Sequence, residues 1–413
     1  MLERISERVV RTQLERLQRG SVRLHFAGAT TTYGGSDGPS ATISVHDASF
    51  FSAIALGGHV GAAEAFAEGA WTTDDLTQVV RVLVQNREVL DDLETGFARL
   101  VQPARALAHA LNRNSRAGSK RNIVAHYDLG NEFFKQFLDE TMTYSAGIFE
   151  HPGASMREAS EAKYDRLCAK LDLTPADHVI EIGTGWGGFA VHAASRYGCR
   201  VTTTTISNEQ FRLATQRVRD AGLSDRVTVL DTDYRELTGQ YDKLVSIEMI
   251  EAVGHQYFKT YFQKCADLLK PTGVAAIQAI TIQDRFYESA RREVDFIKRY
   301  IFPGSCIPSV PVLASASGGT DMRLVHLEDM TPHYAETLRR WRDRFLENWP
   351  VIAESGFDEE FRRIWEFYFA YCEGGFDEAV INSVQLVWAK PQAIGAFIGT
   401  PNREVIRETV SVA

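Results

Sequence analysis

The chain is poor in cysteine: five in 413 residues, at positions 168, 199, 265, 306 and 372, an odd number with no CxxC pair among them. That count fits reduced thiols better than a disulfide framework or a cysteine-built zinc site. No run of 18 apolar residues occurs, so a bilayer-spanning helix is not expected. The first residues, MLERISER, are charged and lead into no apolar signal-peptide core. An excess of positive charge is also missing: Lys plus Arg is 45 and Asp plus Glu is 54, a net charge of −9. A general nucleic-acid binder, whose affinity rests on neutralising phosphates, is therefore excluded. What remains is 44% hydrophobic and 24% charged, an ordinary globular composition. The length allows two or three domains.

Residues 1–20 have helical spacing. Leu2, Ile5, Val9, Leu14 and Leu17 alternate with Arg4, Arg8, Arg11, Arg16 and Arg19, giving either a helix packed on its own domain or one facing lipid. Residues 21–90 read as part of a small N-terminal domain, α+β or mostly helical, covering 1–110. A basic linker follows at 111–122. It lies inside a stretch from 95 to 127 that carries Arg99, Arg105, Arg113, Arg116, Lys120 and Arg121 and no acid. Residues 123–413 are assigned to one catalytic domain with a lid at about 284–345. From His178 onward strands and helices alternate: strands at 178–184, 200–207, 226–232, 241–249 and 274–282, with helices at 187–197, 209–221 and 257–269. This is the pattern of an α/β fold, a parallel sheet covered on both faces, whose ligands bind beyond the carboxyl ends of the strands. Residues 284–299 read as one helix, and 334–349 and 357–374 as aromatic-rich helices that form core or line an apolar pocket.

The segment 179–188, VIEIGTGWGG, is a strand, a glycine turn and a helix start. Gly183 and Gly185 let the backbone turn tightly and approach a ligand. G-x-G-x-x-G suits a dinucleotide or S-adenosylmethionine. The second strand ends in Thr204-Thr205-Ile206-Ser207, without the acid that a dinucleotide site expects about 20 residues on. Asp233 and Tyr234 instead offer an acceptor and a ring to a purine after the third strand, which favours S-adenosylmethionine. A second cluster, His126-Tyr127-Asp128-Leu129-Gly130-Asn131 followed by Met142-Thr143-Tyr144-Ser145, reads as a lid over the cofactor.

With these motifs, and with Thr205–Gln210, Asp233–Arg235, Glu248–Gly254 and Tyr300–Gly304, the chain resembles the cyclopropane fatty acid synthases, including the mycolic acid cyclopropane synthases. The resemblance runs from about residue 120 to 390. It implies a Rossmann-like class I S-adenosylmethionine-dependent methyltransferase domain with acyl-chain lid insertions, beside a smaller N-terminal domain. It also implies cofactor contacts at Tyr144, Ser145, Gly183, Gly185, Thr205, Ile206, Gln210, Asp233 and Tyr234. A bicarbonate ion acts as general base in the family. The matching holders here are Glu251, Ile280 and Tyr334, with His126 nearby in the lid motif. Two positions depart: the family's Cys is Ala146 and its His is Gln278.

The activity implied is that of a cyclopropane-fatty-acyl-phospholipid synthase, which adds a methylene from S-adenosylmethionine across a cis double bond. The alternatives are a fatty-acid C-methyltransferase making methylene- or methyl-branched chains and a catalytically silent lipid-binding relative. The position of the base decides the product. Ring faces such as Tyr300, Phe302 or Trp341 are expected to steady a cation on the chain. The expected partners are an unsaturated acyl phospholipid, the membrane surface and a second copy of the chain, and no nucleic acid. The expected location is cytoplasmic, peripheral on the inner face of the membrane.

Overall fold

In a computed structural model, residues 2–87 and 129–393 are described. The basic stretch, the linker and His126 fall outside them. The chain divides into two units. The first holds the described residues of Met1–Asn112 with Glu288–Pro303 and Ala335–Ile381. The second holds those of Arg113–Tyr287, Gly304–Tyr334 and Asn382–Ala413.

The first unit has a four-stranded sheet, β1 (Ser21–Phe26), β2 (Ala29–Gly34), β3 (Ser40–Val45) and β4 (Trp71–Thr73), in the order β2-β1-β3-β4. Helix Leu2–Leu14 buries Val10 and Leu14 and leaves Ile5 and Val9 55% and 40% exposed. Helix Ser49–Ala67 is long and apolar enough to cross a membrane, which scanning for an unbroken apolar run did not find. Half of its apolar window is buried, with Phe50, Phe51, Val60 and Phe66 in the core, as in a core helix. Two later segments, which sequence reading gave to the catalytic domain, group with this unit. Their tie is a buried carboxylate: Glu373 accepts from Thr77 (3.1 Å), Arg339 (3.1 Å) and Arg342 (2.8 Å). A Cβ on Gly374 would meet Val80 at 2.7 Å, so helices Leu76–Gln85 and Glu359–Asp377 approach closely. The aromatics form core here: Phe345 packs on Trp365 and Phe369, and Trp341 is fully buried. The single helix expected at 284–299 is broken. Helix Asp284–Ala290 stops, and a π-helical turn, Ile297–Ile301, follows. Lys298 is buried and donates to the Ala290 and Glu293 carbonyls, satisfying backbone that a continuous helix would have paired.

The second unit is built on a seven-stranded sheet: β5 (His178–Ile182), β6 (Arg200–Thr205), β7 (Val227–Asp231), β8 (Tyr241–Ile247), β9 (Leu269–Ile282), β10 (Arg323–Asp329) and β11 (Ile381–Ala389). The order is β10-β11-β9-β8-β5-β6-β7. Strands β5 to β9 pair in parallel, and β10 and β11 pair antiparallel at one edge. The sheet is therefore mixed, not purely parallel. The last two strands escape sequence reading because β11 buries Ser383 and Gln385, which break its apolar pattern, and β10 has no fully buried residue to mark an inner face. Val179, Ile180 and Ile182 of β5 are buried, as a strand covered on both faces requires. Strand order reverses at β5, so the crevice opens beyond Ile182, at the glycine turn.

Helix Met156–Leu171 packs on the core of the sheet, with Tyr164 against the glycine turn. Its start is a capping box: Ser155 Oγ accepts from Glu158 N (3.2 Å), and Glu158 Oε2 accepts from Ser155 N (2.7 Å). Gly188 is glycine because of this helix: a Cβ there would lie 2.4 Å from the Tyr164 hydroxyl and 3.1 Å from the Thr141 carbonyl. Gly188→Ala is expected to lower stability by about 1–3 kcal/mol through overpacking. The loss should shrink in the Tyr164→Phe background, which removes the clashing oxygen. Additive losses in a denaturation double-mutant cycle would refute that contact as the cause.

Candidate active site

The glycine turn leaves β5 with Gly183 at φ 101° and Gly185 at φ 52°. Both amides at its start, Gly183 N and Thr184 N, donate to the Thr204 carbonyl of β6 (3.1 and 3.0 Å). A Cβ on Gly185 would meet nothing within 4 Å, so this glycine is not needed for packing and leaves room for a ligand against the backbone. Trp186 turns inward instead. Its ring packs on Phe134, and its Nε1 donates to Asn131 Oδ1 (2.7 Å), so the end of the expected lid motif is fastened to the turn. Under the turn, Glu181 is buried. It accepts from Thr203 Oγ1 (2.6 Å), and burial pushes its carboxyl up to about 8.

Around the crevice, Thr205 Oγ1 donates to Gln210 Oε1 (2.8 Å), and Ile206 follows at the strand end, half-buried. Asp233 caps a short 3-10 turn and is held by Arg235, which donates to it from its backbone N (3.0 Å), Nε (2.8 Å) and Nη2 (2.5 Å). A purine amine reaching Asp233 would share an acceptor already engaged. The Tyr234 ring lies edge-on to Tyr261, with the Arg235 guanidinium 5.5 Å away. Tyr144 packs on Phe134 and Phe137. Ser145 accepts from Lys163 Nζ (2.7 Å). Lys163 is wholly buried, and burial pulls its ammonium down to about 8 against the opposing fields of Glu248, Asp139 and Glu181.

The centre of the site is a residue that sequence reading quoted inside a motif but gave no role. Glu248 directly follows β8 with φ 49°, a left-handed backbone unusual for a side chain of this size. Its N donates to the Gln278 carbonyl (2.8 Å). Its half-buried carboxylate gathers three donors: Ala146 N (3.0 Å) and Gln278 Nε2 (2.8 Å) on Oε1, and Tyr334 OH (2.6 Å) on Oε2. Gln278 is fixed in turn by Gln385 Nε2 (2.9 Å), and Gln385 by Lys170 Nζ (2.5 Å). The available signal was an acid left at the mouth of a buried strand, three residues before another acid.

Glu251 stands one 3-10 turn later. Ile280 N donates to its Oε1, while its Oε2 is buried without a donor. Burial, and then the field of Glu248, push its carboxyl up to about 8. Tyr334 and Gln278 thus bind Glu248, whereas the family resemblance groups Glu251, Ile280 and Tyr334 around a bicarbonate ion, with Gln278 at the departed His position. The bicarbonate site follows from this. The Ala146 amide, the Gln278 amide, the Tyr334 hydroxyl and the Ile280 amide are all engaged by protein carboxyls. A further anion would compete for these donors beside two acids, Glu251 buried and Glu248 half-buried. These residues do not fit that ion. The glycine crevice, with open space at Gly185 and Ser145 and Gln210 on its rim, does fit a cofactor that presents an amino-acid end. Among the described residues no cluster of metal ligands occurs.

The family model for mycolic acid cyclopropane synthetase matches residues 114–386. The chain is 39% identical to the tuberculostearic acid methyltransferase of Mycobacterium tuberculosis, over 88% of this chain and 86% of that protein. It is 34% identical to the cyclopropane-fatty-acyl-phospholipid synthase of Escherichia coli, over 85% and 88%. A crystal structure of a mycolic acid cyclopropane synthase complexed with SAH and CTAB superimposes with a TM-score of 0.62 at 29% identity, covering 66% of this chain and 98% of that one.

The raised carboxyls make a pH prediction. Glu251 keeps a proton when folded up to about pH 8, whereas unfolded it loses it near 4.5. The folded state binds more protons between those values, so this group's stabilisation is full below about 4.5 and is lost as pH rises through 8. Glu251→Gln should flatten that decline in melting temperature. An unchanged slope would count against a buried, protonated Glu251.

Proposed function

Because the chain belongs to the mycolic acid cyclopropane synthetase family and has the Rossmann-like fold of S-adenosylmethionine-dependent methyltransferases, we propose that it transfers a methyl group from S-adenosylmethionine to the cis double bond of an unsaturated fatty acyl chain carried on a phospholipid. One observation carries the reading. A Cβ on Gly183 would lie 3.2 Å from Met249, the residue following Glu248. The glycine turn and the segment carrying Glu248 and Glu251 therefore lie side by side, which supports a cofactor seat next to a proton acceptor.

Gly183 and Gly185 would pass beneath the amino-acid end of the cofactor. Tyr144, Ser145, Thr205, Ile206, Gln210, Asp233 and Tyr234 would hold the rest. When bound, S-adenosylmethionine supplies an electrophilic methyl. The chain's own residues keep water out and receive a proton. Lys163 fixes Ser145 and offsets the charge of Glu248. Attack by the double bond leaves a cation on the adjacent chain carbon. Losing a proton from the new methyl at once closes a ring. A hydride shift first, and then the same loss, leaves an exocyclic methylene.

We read the methylene branch as the product. A carboxylate already holding three donors is a slower proton acceptor than a free one, which gives the hydride time to move. The 39% identity to a fatty-acid methyltransferase supports this, and the 34% identity to a phospholipid cyclopropane synthase supports the ring as second reading. Reduction of the branch to a methyl group needs a hydride donor outside this reaction.

Incubation with methyl-labelled S-adenosylmethionine and oleoyl phospholipid vesicles should place label in lipid, and no label would sink the proposal. Proton NMR of the recovered acyl chains should show exocyclic alkene protons, whereas cyclopropyl protons would select the ring. With a phospholipid substrate, we further propose peripheral work at the inner membrane face. Binding to anionic vesicles should weaken as salt rises, and salt-independent binding would argue otherwise.

A further inference from the structure

We propose that this enzyme carries its own base: the Glu248 carboxylate occupies the place of an external bicarbonate and takes the proton from the alkylated chain. This rests on the methyl-transfer reading above. The geometry is specific. The backbone following the Tyr144-Ser145 pair, the side chain on β9 at 278 and the hydroxyl of Tyr334 point at one centre, and that centre is Glu248. An enclosure built to hold a small planar oxyanion holds a carboxylate anchored to the chain.

The two departures from the family pattern fit together on this account. Gln278 offers its Nε2 to Glu248 and takes a hydrogen bond from Gln385 on its Oε1, so its orientation is fixed. Ala146 supplies only its backbone, which contacts Glu248 and Gln278 on its two sides. A larger polar side chain at 146 has no anion left to serve. Ala146 is fully buried beside them.

The step balances within the substrate and this residue. A C–H bond of the newly attached methyl breaks. Its electron pair becomes the third bond of a ring, or the π bond of a methylene once the hydride has shifted. The proton passes to a Glu248 oxygen, the cation is neutralised, and the carboxylic acid later returns its proton to solvent.

The test uses the full-length protein and ¹³C-bicarbonate. Wild type is expected to show no saturable bicarbonate binding by ¹³C NMR and no change in turnover when bicarbonate is stripped from the buffer. Glu248→Gly frees the three donors, and glycine suits the left-handed backbone. It should gain bicarbonate binding and a turnover that depends on added bicarbonate. Glu248→Gln keeps the volume and should lose about 100-fold or more in kcat, the scale of a general base, with S-adenosylmethionine affinity retained and no rescue by bicarbonate. Saturable bicarbonate binding to wild type, or wild-type turnover lost on stripping and restored on addition, would overturn the proposal. Should wild type label no lipid at all, the methyl-transfer reading fails, while the binding arm still decides whether Glu248 fills the anion's place.

Discussion

The second unit depends on how carboxyls are kept out of water. Glu181, Glu251 and Asp139 lie buried, and Glu248 half-buried, beneath or beside the glycine turn, and isolated charges in such surroundings are costly. Lys163 is the buried cation whose field reaches Glu181, Glu248 and Asp139. Each acid is given donors as well: Thr203 for Glu181, Ser160 and Thr141 for Asp139, three groups for Glu248. Helix Met156–Leu171 delivers Lys163 and Ser160 from one face, and its capping box fixes where that face begins. The threonines of β6 are hydroxyl-bearing strand formers that pack and donate at once.

The parallel core was legible because its signals are local and periodic. Apolar β5 and the glycines after it declare a strand and a turn, and the helices that follow have clear apolar faces. The edge was not. Gln385 sits at a buried position of β11 because its side chain steadies Gln278, while Ser383 meets Thr331 through its backbone N alone, and a polar residue on a strand's inner face reads as a loop. Site legibility divided in the same way. Gly183, Gly185 and Thr205 follow from chain-local geometry. Glu248 became visible only when β8, β9, the Ala146 loop and the start of helix Thr331–Glu347 met, since its three donors come from positions 146, 278 and 334. Sequence spacing cannot weigh two acids three residues apart and say which one receives them.

The first unit shows how a chain can return to an earlier partner. The aromatic helices late in the sequence find their core with residues near its start, and the buried Glu373 cluster ties position 77 to positions 339 and 342. Breaking one partner of such a buried cluster costs more than the contact's net worth, because the remaining charge stays buried. A linear division into an N-terminal and a catalytic segment misses this, since hydrophobic periodicity marks a helix without saying which sheet or helix will cover it.

The left-handed backbone at Glu248 reaches beyond the present enzyme. A non-glycine residue held there costs on the order of 1–3 kcal/mol, and glycine sits there without that cost. Codons for glutamate and glycine differ at a single base. The acid can therefore be gained or lost in one mutational step on a main chain already shaped for both residues. A lineage could move between a tethered and a diffusible proton acceptor with no intermediate that must refold.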